Sequence, residues 1–433
     1  MASSFSRREF LAGGLGVTTA GALHTALGPA GHLARSSSGR ESPSITAATT
    51  RTQDSSRATS TPERALVLCT LYGGNDGLNT VVPYESSAYH SLRGDVAIRG
   101  DMVQPLGTVD GVALGLHPAL VGLKSLWDAG QVAIILGVGY PDPNLSHFGS
   151  MEIMQSADPT GDSSTGWVGR WLDACGSDPT RALSVGPNLP QVFTGESQQA
   201  STLTDSTSPS SQSPSGDPVF VSAYSGLEHA FKHEPPLEAA IAQAGADLLV
   251  VGAKASAALT SQRPPAPKSA SPAGDIGNQL DIVAELVKAG MPTKVYGVNW
   301  GSFDTHAGQL GAHWELLSQL DAGVRNFMGD FPAVSGRRLS PVIVIYSEFG
   351  RRVQSNASAG TDHGAASNVI VVGPSVKGGF YGEQPSLKRL DDAGNLRYST
   401  DFRRVYATLL ADIMGAEPHS FLGAQFAPMT FLG

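Results

Sequence analysis

The sequence predicts an α/β fold, a mainly parallel sheet covered by helices on both faces. Two observations carry this reading. Apolar runs of strand length recur without polar alternation, at Ala65–Tyr72, Gln131–Val138, Lys294–Asn299, Pro341–Tyr346 and Asn368–Val372. Strands buried on both faces need that pattern. Apolar residues at helical spacing fill the intervals, at Leu116–Asp128, Ile276–Ala289, Leu310–Phe327 and Phe402–Met414, so strand, loop, helix and strand alternate.

The chain ahead of the first strand is of another kind. Ser6-Arg7-Arg8-Glu9-Phe10-Leu11 precedes a weakly apolar, Gly/Ala-rich stretch to about Ala34. That is the pattern of a twin-arginine (Tat) signal peptide over residues 1–34. It implies export through the Tat translocase, to the periplasm, cell envelope or medium. Residues 35–63 are Ser/Thr-rich and nearly free of large apolar side chains, as a disordered linker would be. Residues 64–433 then read as one domain, with low-complexity surface insertions near 197–217 and 262–275. No later run of about 18 apolar residues predicts a membrane span in the mature protein.

Composition narrows the chemistry. With 41% hydrophobic residues in 433, a sizeable core can be buried. The net charge of −9, without a dense basic run after the first residues, argues against nucleic-acid binding through a phosphate-neutralising patch. The two cysteines, Cys69 and Cys175, form no CxxC motif, which disfavours iron–sulfur clusters and thiolate zinc sites. Export permits them to pair, yet Cys69 in an apolar run also reads as a small buried hydrophobe.

Polar clusters follow several strands, where open α/β sheets bind ligands. Gly73–Asn79 (GGNDGLN) follows the first and offers Asp76 as a metal ligand, or as part of an Asn-Asp-Gly turn. Asp304 and His306 stand two residues apart after Lys294–Asn299, on one side if the backbone is extended. Carboxylate with neutral imidazole suits zinc, manganese or iron. Ser347–Arg352 (SEFGRR) ends the next strand and supplies Glu348, a ligand or general base, and Arg351, an anion clamp. Asp362 and His363 are adjacent acid and imidazole, followed by a glycine that permits close approach. Their cluster precedes a strand and is expected to arrive on a loop. Ser146, ahead of a helix, is either an N-cap or a hydroxyl nucleophile.

These residues carry a family likeness. GGNDGLN, LHPAL, VGYPDPNLSHFGSMEI, TGWVGRWLD, FDTH, SEFGRR, GTDHG and VKGGFYG, in order over roughly residues 65–430, resemble the exported bacterial family known as domain of unknown function 1501. A more distant likeness is to the alkaline phosphatase/sulfatase superfamily, which implies a three-layer sandwich and a metal-dependent hydrolase of phosphate or sulfate esters. By order along the chain, Asp76 then matches the first metal-binding acid and Ser146 the nucleophile. Asp304 and His306 match an Asp/His pair, at closer spacing than usual, and His363 matches the final histidine. Where that superfamily has Asp-His after a strand, this chain has Ser347-Glu348. A single metal, an altered pair with Glu348 and a degenerate site all stay open. The likeness implies a divalent metal (zinc, manganese or calcium) and a small anionic ester or glycan substrate. The competing expectation is a non-catalytic envelope binding or assembly protein on the same scaffold.

Overall fold

The central sheet grows outward from the first apolar run, β1 (Glu63–Leu71). In the computed structural model, which describes residues 63–186, 188–203, 236–262, 274–332 and 339–433, β1 lies between two parallel neighbours. The expected signal peptide, the expected linker except Glu63, and the larger parts of both expected insertions fall outside the described residues. On one side β1 pairs with residues Val295–Trp300, on the other with Leu339–Ser347. Leu71 sits beside Trp300 and beside Ser347. The register therefore ends three strands level, and the polar segments that follow them emerge side by side.

Numbered along the chain, the sheet also contains β5 (Val132–Gly139), β6 (Ala182–Val185), β7 (Ser201–Leu203), β12 (Ser367–Val372), β13 (Gly379–Tyr381) and β14 (Thr400–Asp401). With β8 (Val295–Trp300) and β9 (Leu339–Ser347), the order is β13-β5-β12-β9-β1-β8-β6-β7, and β14 also pairs with β5. Within this sheet β12 alone runs against its neighbours. A small antiparallel sheet holds β2 (Val81–Val82), β3 (Gln104–Val109) and β4 (Val112–Leu116). A hairpin holds β10 (Arg351–Ser355) and β11 (Thr361–His363).

The unbroken apolar runs of β1 are explained by what covers them. Ala65, Val67, Cys69 and Leu71 point into one core, shared with α3 (Val121–Asp128), α6 (Pro236–Gln262), α7 (Gly274–Lys288) and α8 (Gln309–Asp330). Leu66 and Leu68 point into the other, shared with α4 (His147–Ser156), α5 (Trp167–Cys175) and α9 (Phe402–Asp412). Each fully buried aliphatic side chain of such a strand stabilises by about 1.5–3 kcal/mol relative to exposure. The shorter helices α1 (Gly77–Thr80) and α2 (Ser87–Arg93) follow β1 directly. The parallel sheet with helices on both faces is as expected. Among the described residues, no helix is long and apolar enough to cross a membrane.

Three local expectations need correction. Leu116 ends β4, and α3 starts only at Val121, because Pro118 disfavours helical geometry at the residue before it. Ser201–Leu203, inside the expected insertion, pairs with β6 as the sheet's edge strand. Thr361–His363 reaches the site as a strand of a hairpin rather than as a loop. The question of pairing, left open by the sequence, is answered: Cys69 and Cys175 are both free, and Cys69 is the buried small hydrophobe expected.

Candidate metal centre

The level strand ends bring together segments distant in sequence. After β8 the chain supplies Asp304 and His306, after β9 Glu348, and β11 supplies Asp362 and His363. The loop after β5 leads into α4, whose first residue is His147. Tyr72 anchors the turn beyond β8: its N–H donates to Trp300 O at 2.8 Å and its carbonyl accepts from Phe303 N at 3.1 Å. Gly301 and Ser302 are thereby looped outward, with Ser302 at φ 78, a conformation a non-glycine residue adopts only under constraint. Gly73 has no substitute here. Its φ is +110, and a Cβ would stand 2.6 Å from the backbone nitrogen of Asp304.

Four donors converge at this edge. Asp304 Oδ1 lies 2.9 Å from His306 Nε2 and 3.1 Å from His363 Nε2, and Asp304 Oδ2 lies 3.4 Å from His147 Nε2. Ligand atoms of His147, Asp304 and His363 all fall within 4.8 Å of one another. His306 Nε2 joins them at 2.9 Å from His363 Nε2.

The opposite nitrogen of every ring decides what these atoms are. His363 Nδ1 donates to Leu145 O at 2.7 Å, since a carbonyl can only accept. His306 Nδ1 donates to Asp362 Oδ1 at 3.1 Å, and His147 Nδ1 to Glu348 Oε1 at 2.8 Å. In the neutral rings all three Nε2 atoms then carry a lone pair, and the lone pairs of His306 and His363 face each other and a carboxylate. Such a grouping is favourable only around a proton or a cation. His147 Nε2 is buried and, although 3.4 Å from Asp304 Oδ2, has no hydrogen-bond partner among the described residues. Three neutral imidazoles and a carboxylate, with each imidazole steadied from behind by an acceptor, fit a divalent transition metal such as zinc or manganese. They do not fit calcium, which takes an all-oxygen shell.

Asp304 is kept ionised. Burial works against its charge, but the hydrogen bond and charge of Arg351, together with the His363 and His306 rings when these are protonated, outweigh it and hold its carboxyl down at about 2. The Arg351 bond measures 2.7 Å.

The expected site residues take different places. Asp304, His306 and His363 are brought together as donors. Asp362 and Glu348 stand behind His306 and His147, orienting the rings rather than contributing to the donor cluster. Arg351 is buried at 1% exposure and donates to the carbonyls of Gly73, Gly74, Phe303 and Thr361 as well as to Asp304. It fastens three loops together and has no free donor face for an anion.

Asp76 is held apart from the cluster. It caps α1, accepting from Leu78 N and Asn79 N, and its carboxylate pairs with Arg93 and accepts from Gln309. Both side chains of the ion pair are 0% exposed. Arg93 thus fills the position where a cation beside Asp76 was expected. Ser146 is the N-cap of α4 but makes no side-chain cap bond, and it is exposed, one residue from His147.

His147 is the donor that sequence reasoning missed. Its signal was present in Asn144–Gly149 (NLSHFG), where the serine drew the attention and the histidine beside it did not.

A cavity of about 570 Å³ opens beside the cluster, lined among others by Tyr72, Phe148, Glu152, Ser302 and Asp304. A second, of about 490 Å³, lies on the far side of Glu348. Glu348 borders both.

In a comparison with protein families, the family described as Protein of unknown function (DUF1501) matches residues 135–419. That span includes all four donors. No curated protein matches the chain.

Proposed function

The chain belongs to the DUF1501 family of proteins of unknown function, and we propose that it is a hydrolase of phosphate or sulfate esters working at one divalent metal. The single observation that carries this is the convergence of His147, Asp304, His306 and His363 on one point at the carboxyl edge of the sheet, beside an open cavity. The distant sequence likeness to the alkaline phosphatase superfamily supports this reading, as does the mostly parallel sheet with helices on both faces, and the twin-arginine pattern is what an exported enzyme would carry.

His147, His306, His363 and Asp304 would hold the metal, and Glu348, Asp362 and the Leu145 carbonyl would fix their rings. A divalent cation there supplies Lewis-acid polarisation of the ester and neutralises its charge. Asp304, whose side chain is 45% exposed, leaves the cluster open toward the cavity, so an ester can approach from that side. Arg351 keeps the Asp304 carboxylate charged and aimed. Exposed Ser146, next to His147, is the candidate nucleophile, with water as the alternative attacking group.

One metal rather than two is supported by the acids a second would need. Asp76 already holds Arg93, and Glu348 already holds His147.

The test is turnover of aryl phosphates and aryl sulfates by zinc- or manganese-loaded protein, alongside elemental analysis. Hydrolysis that scales with about one bound metal per chain is expected. Absence of both metal and turnover would favour the non-catalytic reading.

A further inference from the structure

The cavity beside the metal centre has a wall that the hydrolase reading does not use. Phe148, Met151, Glu152 and Gln155 line it from α4, at spacings of three and four that set them on one helical face. Phe148 is 90% exposed, an aromatic ring kept in water in the first turn of a helix. Glu152 forms no ion pair or hydrogen bond among the described residues. Among the described residues no lysine or arginine lines this cavity; the acidic side chains there are Glu152, Asp304 and Glu348. Asp304 is engaged by Arg351 and Glu348 by His147. Glu152 is therefore the uncompensated charge of the wall, and it stands among the rings of Phe148 and Tyr72 and the thioether of Met151.

We propose that this cavity binds a cationic group, an ammonium carried by the alcohol part of the ester. The proposal rests on the ester-hydrolase reading for the anionic half of the substrate, which the metal would hold. Aromatic faces attract a quaternary or protonated ammonium through their quadrupole, a carboxylate adds direct attraction, and methionine supplies an adaptable apolar contact. A second anionic group, as in a polyphosphate, would meet the Glu152 carboxylate with no lysine or arginine among the lining residues to offset it. An uncharged alcohol would leave Glu152 desolvated without return.

The experiment separates this inference from the reading it rests on. Metal-loaded protein is titrated calorimetrically with choline and with its uncharged isostere, 3,3-dimethyl-1-butanol, a readout that needs no turnover. Hydrolysis of choline phosphate and choline sulfate is then compared with that of the matching dimethylbutyl esters. Choline is expected to bind about tenfold or more tightly than the isostere, and the preferred ester to show a similar ratio of kcat/KM. Glu152→Gln and Phe148→Ala, both at solvent-accessible positions, should each cut that preference about fivefold. The phosphate and sulfate arms identify which anion the metal takes. Equal binding of the isostere, or a preference that survives Glu152→Gln, overturns the inference. A choline preference without hydrolysis of any ester keeps the ammonium site and rejects the hydrolase; hydrolysis without preference does the reverse.

Discussion

His363→Ala is expected to yield a folded protein that no longer retains metal through chelation and dialysis, with ester turnover lower by ~10³-fold. The size of the effect follows from geometry. His363 Nε2 is one of four donors, 3.1 Å from Asp304 Oδ1 and 2.9 Å from His306 Nε2, so its removal opens the cluster at its centre. On the folding side the ring gives up its bond to Leu145 O, its packing against Phe349 and the two neighbouring imidazoles, and partial burial, a loss of about 1–2 kcal/mol. Stability and function therefore separate. Glu348→Gln grades the same effect: the amide still accepts from His147 Nδ1 but without charge, and metal affinity should fall about tenfold. Competition titration against a chelator reads both. Full metal retention by His363→Ala would remove this histidine from the site.

The second large effect is on stability. Asp76→Ala strands the Arg93 guanidinium, 0% exposed, in the protein interior. Breaking a buried pair in this way costs about 3–5 kcal/mol, visible as a lower urea midpoint. Metal content per folded chain should not change, because Asp76 lies outside the donor cluster. A fall in metal stoichiometry without a fall in stability would reverse that assignment.

The pH dependence follows from the same pair. Burial raises the Asp76 carboxyl, but Arg93, His313 and Gln309 together outweigh it and hold it below its ordinary value. A depressed carboxyl contributes stability that is present above the unfolded pKa and lost as pH falls through the folded one. Wild type and Asp76→Ala should therefore differ fully at neutral pH and converge below about pH 4.

What was legible in the sequence follows local rules, and what was not depends on distant partners. The parallel sheet was readable because doubly buried strands are apolar over most of their length, as Ala65 to Cys69 are. Asp304 with His306 and Asp362 with His363 were readable because acid and imidazole stand close together after or before strands. Asp76 misled because its partner, Arg93, lies 17 residues on with no local signal. Glu348 and Arg351 were assigned to chemistry because their residue types permit it. Only packing reveals that Glu348 faces the back of His147, and that Arg351 is surrounded by carbonyls. His147 went unread for the opposite reason: a histidine opening a helix resembles any capping residue until the fold carries it across to Asp304. The long helix Pro236–Gln262 was missed because its alanine-rich stretch has weak apolar periodicity.

Anomalous diffraction from crystals of zinc- or manganese-loaded protein, recorded on both sides of the metal's absorption edge, tests the central claim most directly. One peak is predicted, lying between the Nε2 atoms of His147, His306 and His363 and the carboxylate of Asp304, with Glu348 and Asp362 outside the coordination sphere. A peak beside Asp76, two peaks sharing Glu348, or no peak at the cluster in protein that carries metal would contradict it.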